Sequence, residues 1–514
     1  MSKQDRGLFG ALGEQRAPAR PLGAPRLSSP RRDQVSWQPL ALDDLLPADH
    51  RARQVWAFVM RVDLSLLTAD LKARAGVAGR PAIDPRLLLA LWLYATLQGI
   101  ASARLLDRLC REEVAYRWLC GGVSVNYHAL SDARTDHCEV LERLLVDSVV
   151  ALIEAGVVSF DELAQDGVRV RANAGAGSFR RARTLRQRRA AVADHVERLR
   201  RAVADDPGEA GARVTAARER AAREQAERVE RALATLDALG HGGAADADGG
   251  ADAADVDAGA AVDERDDENG AGNRGDGNDG NNGGDDTPPA GGAGPAGKTR
   301  GKRAQAPRAK RTKAPRASTT DPEARVMKMA DGGFRPAYNA QIASDPASQV
   351  ILAVNPVATG SDRGQMRGMI ERLEAIYGQT PKRWLVDGGY TCHADVEWAH
   401  AHAPAGAPDG DPAGSAAGLP SGIEVYCPPT RSKHATDPYQ PRPGDGPGVR
   451  ALRARMASPE GQATYRRRPP SECIHALMRM RGLQRFLVRG REKVRAVLLW
   501  HAVAHNMTRL HALT

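Results

Sequence analysis

The clearest apolar period in the chain lies between Asp84 and Gly99. Asp84 and Pro85 make a good N-cap and first-turn pair, and Leu87, Leu88, Leu91, Trp92 and Ala95 recur at helical spacing, which predicts a buried helix. A second helix is predicted through Leu105, Leu106, Leu109 and Cys110. After Gly121 and Gly122 a third begins near Asn126, carrying Tyr127, His128, Ser131 and Arg134. Short helices parted by Gly turns suit a helix-turn-helix-like DNA-binding region over residues 41–155, whose third helix offers polar and basic side chains to a groove. A purely packing role for the three helices is the other reading of the same pattern.

At FDELAQDGVRV the pattern shifts towards alternation, predicting a strand that carries Asp166. Two charged helices follow over about 181–240, broken near Asp205-Asp206-Pro207-Gly208, and Leu185, Val192, Val196, Leu199 and Val203 form a narrow stripe on the first. This is the pattern of an antiparallel helical hairpin. Further on, YNAQIASD and QVILAVNPV predict two strands joined by a turn at Asp345–Ser348. Residues 362–378 predict an amphipathic helix, KRWLVDGGY a short strand ending at Asp387, IEVYCPP another strand, and Ser471 to Leu513 a long basic helical segment. Strands alternating with helices imply an α/β mixed sheet over 156–180 and 320–514.

Composition separates these regions. Residues 1–40, rich in Arg, Pro and Gly, read as a flexible basic arm. Residues 241–297 hold 14 acidic residues against Arg265 and Arg274, too few apolar groups to offset ordering entropy, so 241–319 is expected to be a disordered acidic, then basic, linker. The basic part has nine Lys/Arg between Lys298 and Arg316 and no acid. Such a run either grips phosphates or neutralises the acidic run beside it. With 73 Lys+Arg against 63 Asp+Glu in 514 residues, the net charge of +10 points to a polyanionic partner. The six cysteines show no zinc or disulfide spacing and are expected to be reduced and buried. No apolar run is long enough to span a bilayer, and a cytoplasmic protein is expected.

Two acids stand out by position: Asp166 inside a strand, and Asp387 at the end of another, where Gly388 and Gly389 let the chain turn away. Strand ends of an open α/β sheet present functional groups, and two neighbouring carboxylates need cations to offset their repulsion. Hard oxygens suit Mg2+, with Mn2+ as a substitute, and a two-ion site is the apparatus for attacking a phosphodiester. Taken singly, each acid reads first as a turn or capping residue, because lone Asp-Gly pairs are frequent. His393, His400 and His402 lack partners at ligand spacing and read as surface residues. His501 and His505 read as packing.

The third piece is YRRRPPSECIHALMR, which sets Tyr465, Arg468, Glu472 and Arg479 in order. This pattern resembles the tyrosine, arginine, glutamate, lysine signature of bacterial insertion-sequence transposases with a DDE triad. DGVRVRANAG, DPEARVMKMADGGFRPAYNAQIASD, LVDGGYTCHADVE and RFLVRGREKVRAVLLWHAVAHNMTRL look like the insertion sequence eleven-eighty-two group, related to the IS four/IS five superfamily. The resemblance spans about residues 40–180 and 320–514. It implies an RNase H-like fold, metal binding by Asp166, Asp387 and Glu472, and contacts from Tyr465 and Arg468 to transposon-end phosphates. It also implies double-stranded DNA as partner and a homo-oligomeric synaptic complex. Arg479 stands where the family has Lys, exchanging a compact ammonium for a planar fork. Pro469 and Pro470 predict that Tyr465 and Arg468 precede the Glu472 helix instead of sharing its face. The rival expectation is a catalytically inactive DNA-binding protein from a decayed element, acting as a repressor.

Overall fold

The computed structural model describes residues 41–69, 81–205, 209–242, 315–402, 422–429 and 437–513, with isolated positions between 71 and 78. The basic arm, residues 243–297 of the acidic run and all but the last residues of the basic run lie outside the described residues. The described ends of the expected 241–319 linker are ordered: 241–242 close a helix, and Ala317 and Ser318 lie buried in a short strand, because that strand pairs at the root of the helical hairpin.

Among the described residues, a 3-10 turn at Leu42–Leu45 is followed by seven α-helices: α1 (Arg51–Met60), α2 (Ser65–Ala69), α3 (Pro85–Leu97), α4 (Ala103–Glu112), α5 (Val114–Cys120), α6 (Tyr127–Thr135) and α7 (Cys138–Glu154). Asp84 caps α3 by accepting the Arg86 N–H at 2.8 Å, and ten of its thirteen residues are buried. Asn126 caps α6 in the same way through the Ala129 N–H. Helix α5 falls between the second and third predicted helices. It is short, starts at Val114 directly after its Glu113 cap, and ends where Gly121 turns left-handed at φ +54°.

The sheet begins with β1 (Glu162–Arg171). The chain then forms β2 (Phe179–Arg180), the hairpin α8 (Ala182–Asp205) and α9 (Glu209–Gly242), and β3 (Ala317–Ser318), which pairs with β2 at the hairpin's root. Leu185 meets Val229, Ala232, Leu233 and Leu236 in a small core separate from the main one. Next come β4 (Arg325–Lys328), β5 (Phe334–Ser344), β6 (Ile351–Val357), α10 (Met366–Tyr377), β7 (Arg383–Leu385), α11 (His393–Ala401) and β8 (Glu424–Tyr426). The described chain ends with α12 (Pro447–Ala457), α13 (Pro459–Tyr465), α14 (Pro470–Met480) and α15 (Arg491–Leu513). The expected single segment from Ser471 to Leu513 is therefore two helices. Gly482 and Gly490, both at φ +85°, bound the break, conformations that side chains other than glycine's rarely adopt.

Across the sheet the order runs β4, β5, β1, β7, β8, with β6 also on β5. β1 is antiparallel to β5 and parallel to β7, which is parallel to β8, so β1 joins the antiparallel and parallel halves. Strands on both sides of the hairpin insertion thus share one sheet. α15 lies against β6, α3, α6 and α7, and is buried from Val494 to Met507 except at Arg495. The segment expected to be basic throughout is a core helix in its second half. It fuses the N-terminal helices and the sheet into one apolar core. Trp500 donates to the Arg134 carbonyl at 3.1 Å, and Asn506 brackets Ile351 of β6 with two bonds of 2.8 Å. Among the described residues no helix is long and apolar enough to cross a membrane.

Candidate active site

β1 and β7 run parallel, with Ala164 opposite Leu385. Asp166 and Asp387 each lie two residues further along, so the register that builds the sheet centre also brings the two acids side by side. Asp166 accepts the Gly167 N–H at 2.9 Å, and Asp387, two residues past the end of its strand, accepts the Gly389 N–H at 2.7 Å as the chain turns. Glu472 enters from the first turn of α14, whose contact with the sheet is to β1.

The three acids meet on one side chain. Arg468 Nη1 donates to Glu472 Oε1 at 2.6 Å, while its Nη2 lies 3.7 Å from Asp166 Oδ2 and 3.8 Å from Asp387 Oδ2. Arg468 is 7% exposed, Asp166 14%, Asp387 41% and Glu472 62%, so the cluster opens to solvent at Glu472 and Asp387. As the two prolines predict, α13 ends at Tyr465, α14 starts at Pro470, and Arg468 sits in the turn between them. Its N–H bonds the Tyr465 carbonyl at 3.1 Å, and its carbonyl takes the Ser471 N–H and hydroxyl at 3.0 and 2.8 Å. The proline break therefore aims the guanidinium down into the acids.

Electrostatics separate the two aspartates. Burial pushes the Asp166 carboxyl up, but His475, Arg468 and the Gly167 N–H outweigh it and hold the group below the ordinary carboxylate range. Asp387 goes the other way. Burial, together with the neighbouring carboxylates of Asp166 and Asp362, raises it against the Gly389 N–H and Arg468. Two carboxylates pushed apart by burial and specific charge partners make this cluster a candidate functional site.

Two members of the cluster carry no motif of their own. His475, buried on α14, places Nε2 3.3 Å from Asp166 Oδ2, and neither ring nitrogen has a hydrogen-bond partner among the described residues. A signal for it exists in the sequence. Ser471, Ile474, His475 and Met478 follow i, i+3, i+4, i+7 and form the buried face of α14. Asp362 is the other. It accepts from Asn339 at 2.6 Å and Gln341 at 2.8 Å, and a Cβ on Gly167 would come within 2.4 Å of its Oδ1.

The remaining candidates scatter. Tyr465 is half-buried at the end of α13, and burial raises its hydroxyl. Arg479 is exposed on α14. On α6, Tyr127 is half-buried under the Arg104 guanidinium, with His128 and Ser131 exposed. Arg134 departs from the expectation of a groove-facing side chain. It is buried, donates to the Ala101 carbonyl and lies 5.0 Å over the Trp92 ring, and desolvation lowers it to about 10. Leu130, Ala133 and Arg134 share α6's inner face, so helical phase turns the guanidinium inward. His402 pairs with Glu374 at 3.0 Å and stacks on Trp398. All six cysteines are free. Cys473 is exposed and Cys392 only partly covered, which corrects the expectation that all are buried.

The donor chemistry of the three acids suits a hard divalent ion. Among the described residues, however, no group of three His, Cys, Asp or Glu side chains stands close enough to hold one, and Arg468 supplies the positive charge instead. No curated protein and no solved structure matches the chain. Two family models do. Residues 40–136, from the N-terminal helices to the end of α6, match a transposase domain (DUF772), and residues 447–511, which carry Tyr465, Arg468, Glu472, His475 and Arg479, match a transposase DDE domain.

Proposed function

We propose that the chain is a DNA transposase of the insertion sequence eleven-eighty-two type. It would bind the terminal inverted repeats of its element, cleave there with the help of a divalent metal, and join the freed 3′-hydroxyl to target DNA. The observation that carries this reading is the convergence of Asp166, Asp387 and Glu472, from three separate elements, on one point within 4 Å of the Arg468 guanidinium. The matched transposase DDE domain supports it, as does a mixed sheet in which β1, the Asp166 strand, lies between antiparallel β5 and parallel β7, an arrangement suited to an RNase H-like domain.

Asp166, Asp387 and Glu472 would hold the ion, Mg2+ or Mn2+. When bound it supplies charge stabilisation at the phosphate undergoing attack. The chain's own residues do the positioning. The β1–β7 register fixes the two aspartates, Gly389 orients Asp387 through its N–H, and Glu472 closes the site from the open side. Tyr465, Arg468 and Arg479 would contact end phosphates, Arg468 only once its guanidinium leaves the acids, and Tyr127, His128 and Ser131 would present α6 to a groove. Synapsis of two ends would need a homo-oligomer.

The inactive-repressor reading draws on one observation, that the acids as they stand form no group able to hold an ion. One experiment separates the two. The chain is incubated with a labelled duplex carrying the gene's flanking DNA, in Mg2+ or Mn2+. Strand cleavage at the repeat boundary that Glu472→Gln abolishes supports the transposase, and sequence-specific binding without cleavage supports the repressor.

A further inference from the structure

The resemblance gives Arg468 a role towards DNA, yet its position answers a different need. Its guanidinium is buried, its Nε lacks a partner, Nη1 donates to Glu472, and Nη2 stands between the two aspartates in ion-pair range. On Asp166, Oδ1 is taken by Gly167, and Oδ2 faces Arg468 and His475 together. That second oxygen lies in ion-pair range of the guanidinium and beside the imidazole, without a hydrogen bond to either, so an incoming ion would meet Arg468 there first. The turn that presents Arg468 is fixed by prolines and by the Ser471 hydroxyl, so the placement belongs to the backbone and is not an idle rotamer.

We propose that Arg468 is the resident counter-cation of the acid cluster, holding Asp166, Asp387 and Glu472 together in the metal-free protein, and that a divalent ion must displace its guanidinium to reach the same oxygens. Three carboxylates gathered around one guanidinium repel one another, and the guanidinium offsets that repulsion; a divalent ion binding the same oxygens competes with it for them. Metal loading would thus free an arginine whose planar fork matches a phosphate, coupling ion binding to a grip on DNA. The inference rests on the reading of these acids as the metal-binding set.

The test measures Mn2+ binding to the full chain without DNA, from the paramagnetic resonance signal of the free ion, alongside thermal unfolding with and without Mn2+. Arg468→Gln should bind Mn2+ at least about tenfold more tightly than the wild type, a difference of about 1.4 kcal/mol. It should melt at a lower temperature without metal and recover more on adding it. Arg468→Lys should fall between, because a point-like ammonium cannot span three carboxylates. If Arg468→Gln does not fold without metal, Arg468→Lys alone decides, since equal or weaker binding overturns the proposal. Asp166→Asn separates the two layers. Loss of Mn2+ binding in Asp166→Asn with none gained in Arg468→Gln overturns the counter-cation and leaves the metal site standing, whereas unchanged binding in Asp166→Asn overturns both.

Discussion

In the acid cluster the half-buried Asp166 faces the buried Arg468 as opposite charges, while on α15 His501 and His505 are buried as neutral rings. Desolvation lowers His501 to about 3, helped by the neighbouring Arg134 and Arg481. It lowers His505 to about 4 although the Gln349 carbonyl, 2.9 Å from Nε2, works against it. The α15 site needs polar side chains only to tie a helix to β6 and α6, and it gives up charge to do so. The acid cluster keeps charge at the cost of desolvating several ions, an arrangement that a well-packed apolar group often matches or betters for stability. That difference favours function at one site and architecture at the other.

Removing a charge from each site should separate the two kinds most sharply. Asp166→Asn should lower end cleavage by about a thousandfold or more, equivalent to about 4 kcal/mol of transition-state stabilisation, while the chain still folds. Cleavage kinetics beside a melting curve check this. A variant that cuts at the wild-type rate would place Asp166 among the structural groups.

The histidines should show the reverse, an effect on stability that tracks pH. Their folded pKa values lie below the unfolded value of about 6.5, so between the two the unfolded chain binds more protons and stability rises with pH. The contribution is fully present above about 6.5 and is lost as pH falls towards 4. Each histidine should cost about 1.6 kcal/mol between pH 6.5 and 5. Urea unfolding at the two pH values, with His505→Gln as comparison, measures it. A His505→Gln protein with the wild type's pH slope would contradict a neutral buried ring.

Gly167 joins the acids to the polar row of Asn339, Gln341 and Asp362 behind them. A Cβ there would meet Gln341 Nε2 at 2.5 Å and Asn339 Oδ1 at 2.9 Å, besides Asp362. Gly167→Ala should therefore displace this row, cost about 1–3 kcal/mol as overpacking does, and lower cleavage through Asp166 next door. An alanine variant with native stability and cleavage would mean that the row yields freely.

Much of this was legible along the chain. The Asp84 cap, the β1 alternation, the β5–β6 hairpin and the charged helical hairpin follow from local periods, and they stand where those periods put them. Asp166, Asp387 and Glu472 were legible as residues, through motifs. Their meeting point was not, because it depends on a parallel register between β1 and β7. Helix α5 and strand β4 are each too short to show a period. His475 was masked by its neighbours' motif, although the buried face of α14 includes it. Arg134 was misread because polar character was weighed without helical phase, whose spacing from Leu130 turns it inward.

Helix α6 carries the smallest and most discriminating effects, since Arg134 on its inner face is one of the charges bearing on His501 while His128 and Ser131 look outward. Arg134→Ala would leave the Ala101 carbonyl without its donor and empty the space over Trp92, costing about 1–3 kcal/mol. His128→Ala and Ser131→Ala remove exposed groups and should change stability by less than about 0.5 kcal/mol. If α6 reads a groove, the same two substitutions should weaken binding to repeat DNA by about 1–3 kcal/mol for a lost base contact, with binding to unrelated duplex unchanged. Paired titrations of repeat and scrambled duplex at fixed salt test it. Equal weakening on both would assign α6 to phosphate contact, and no weakening on either would leave it as a packing helix, with the outward residues as incidental as Arg134 is structural.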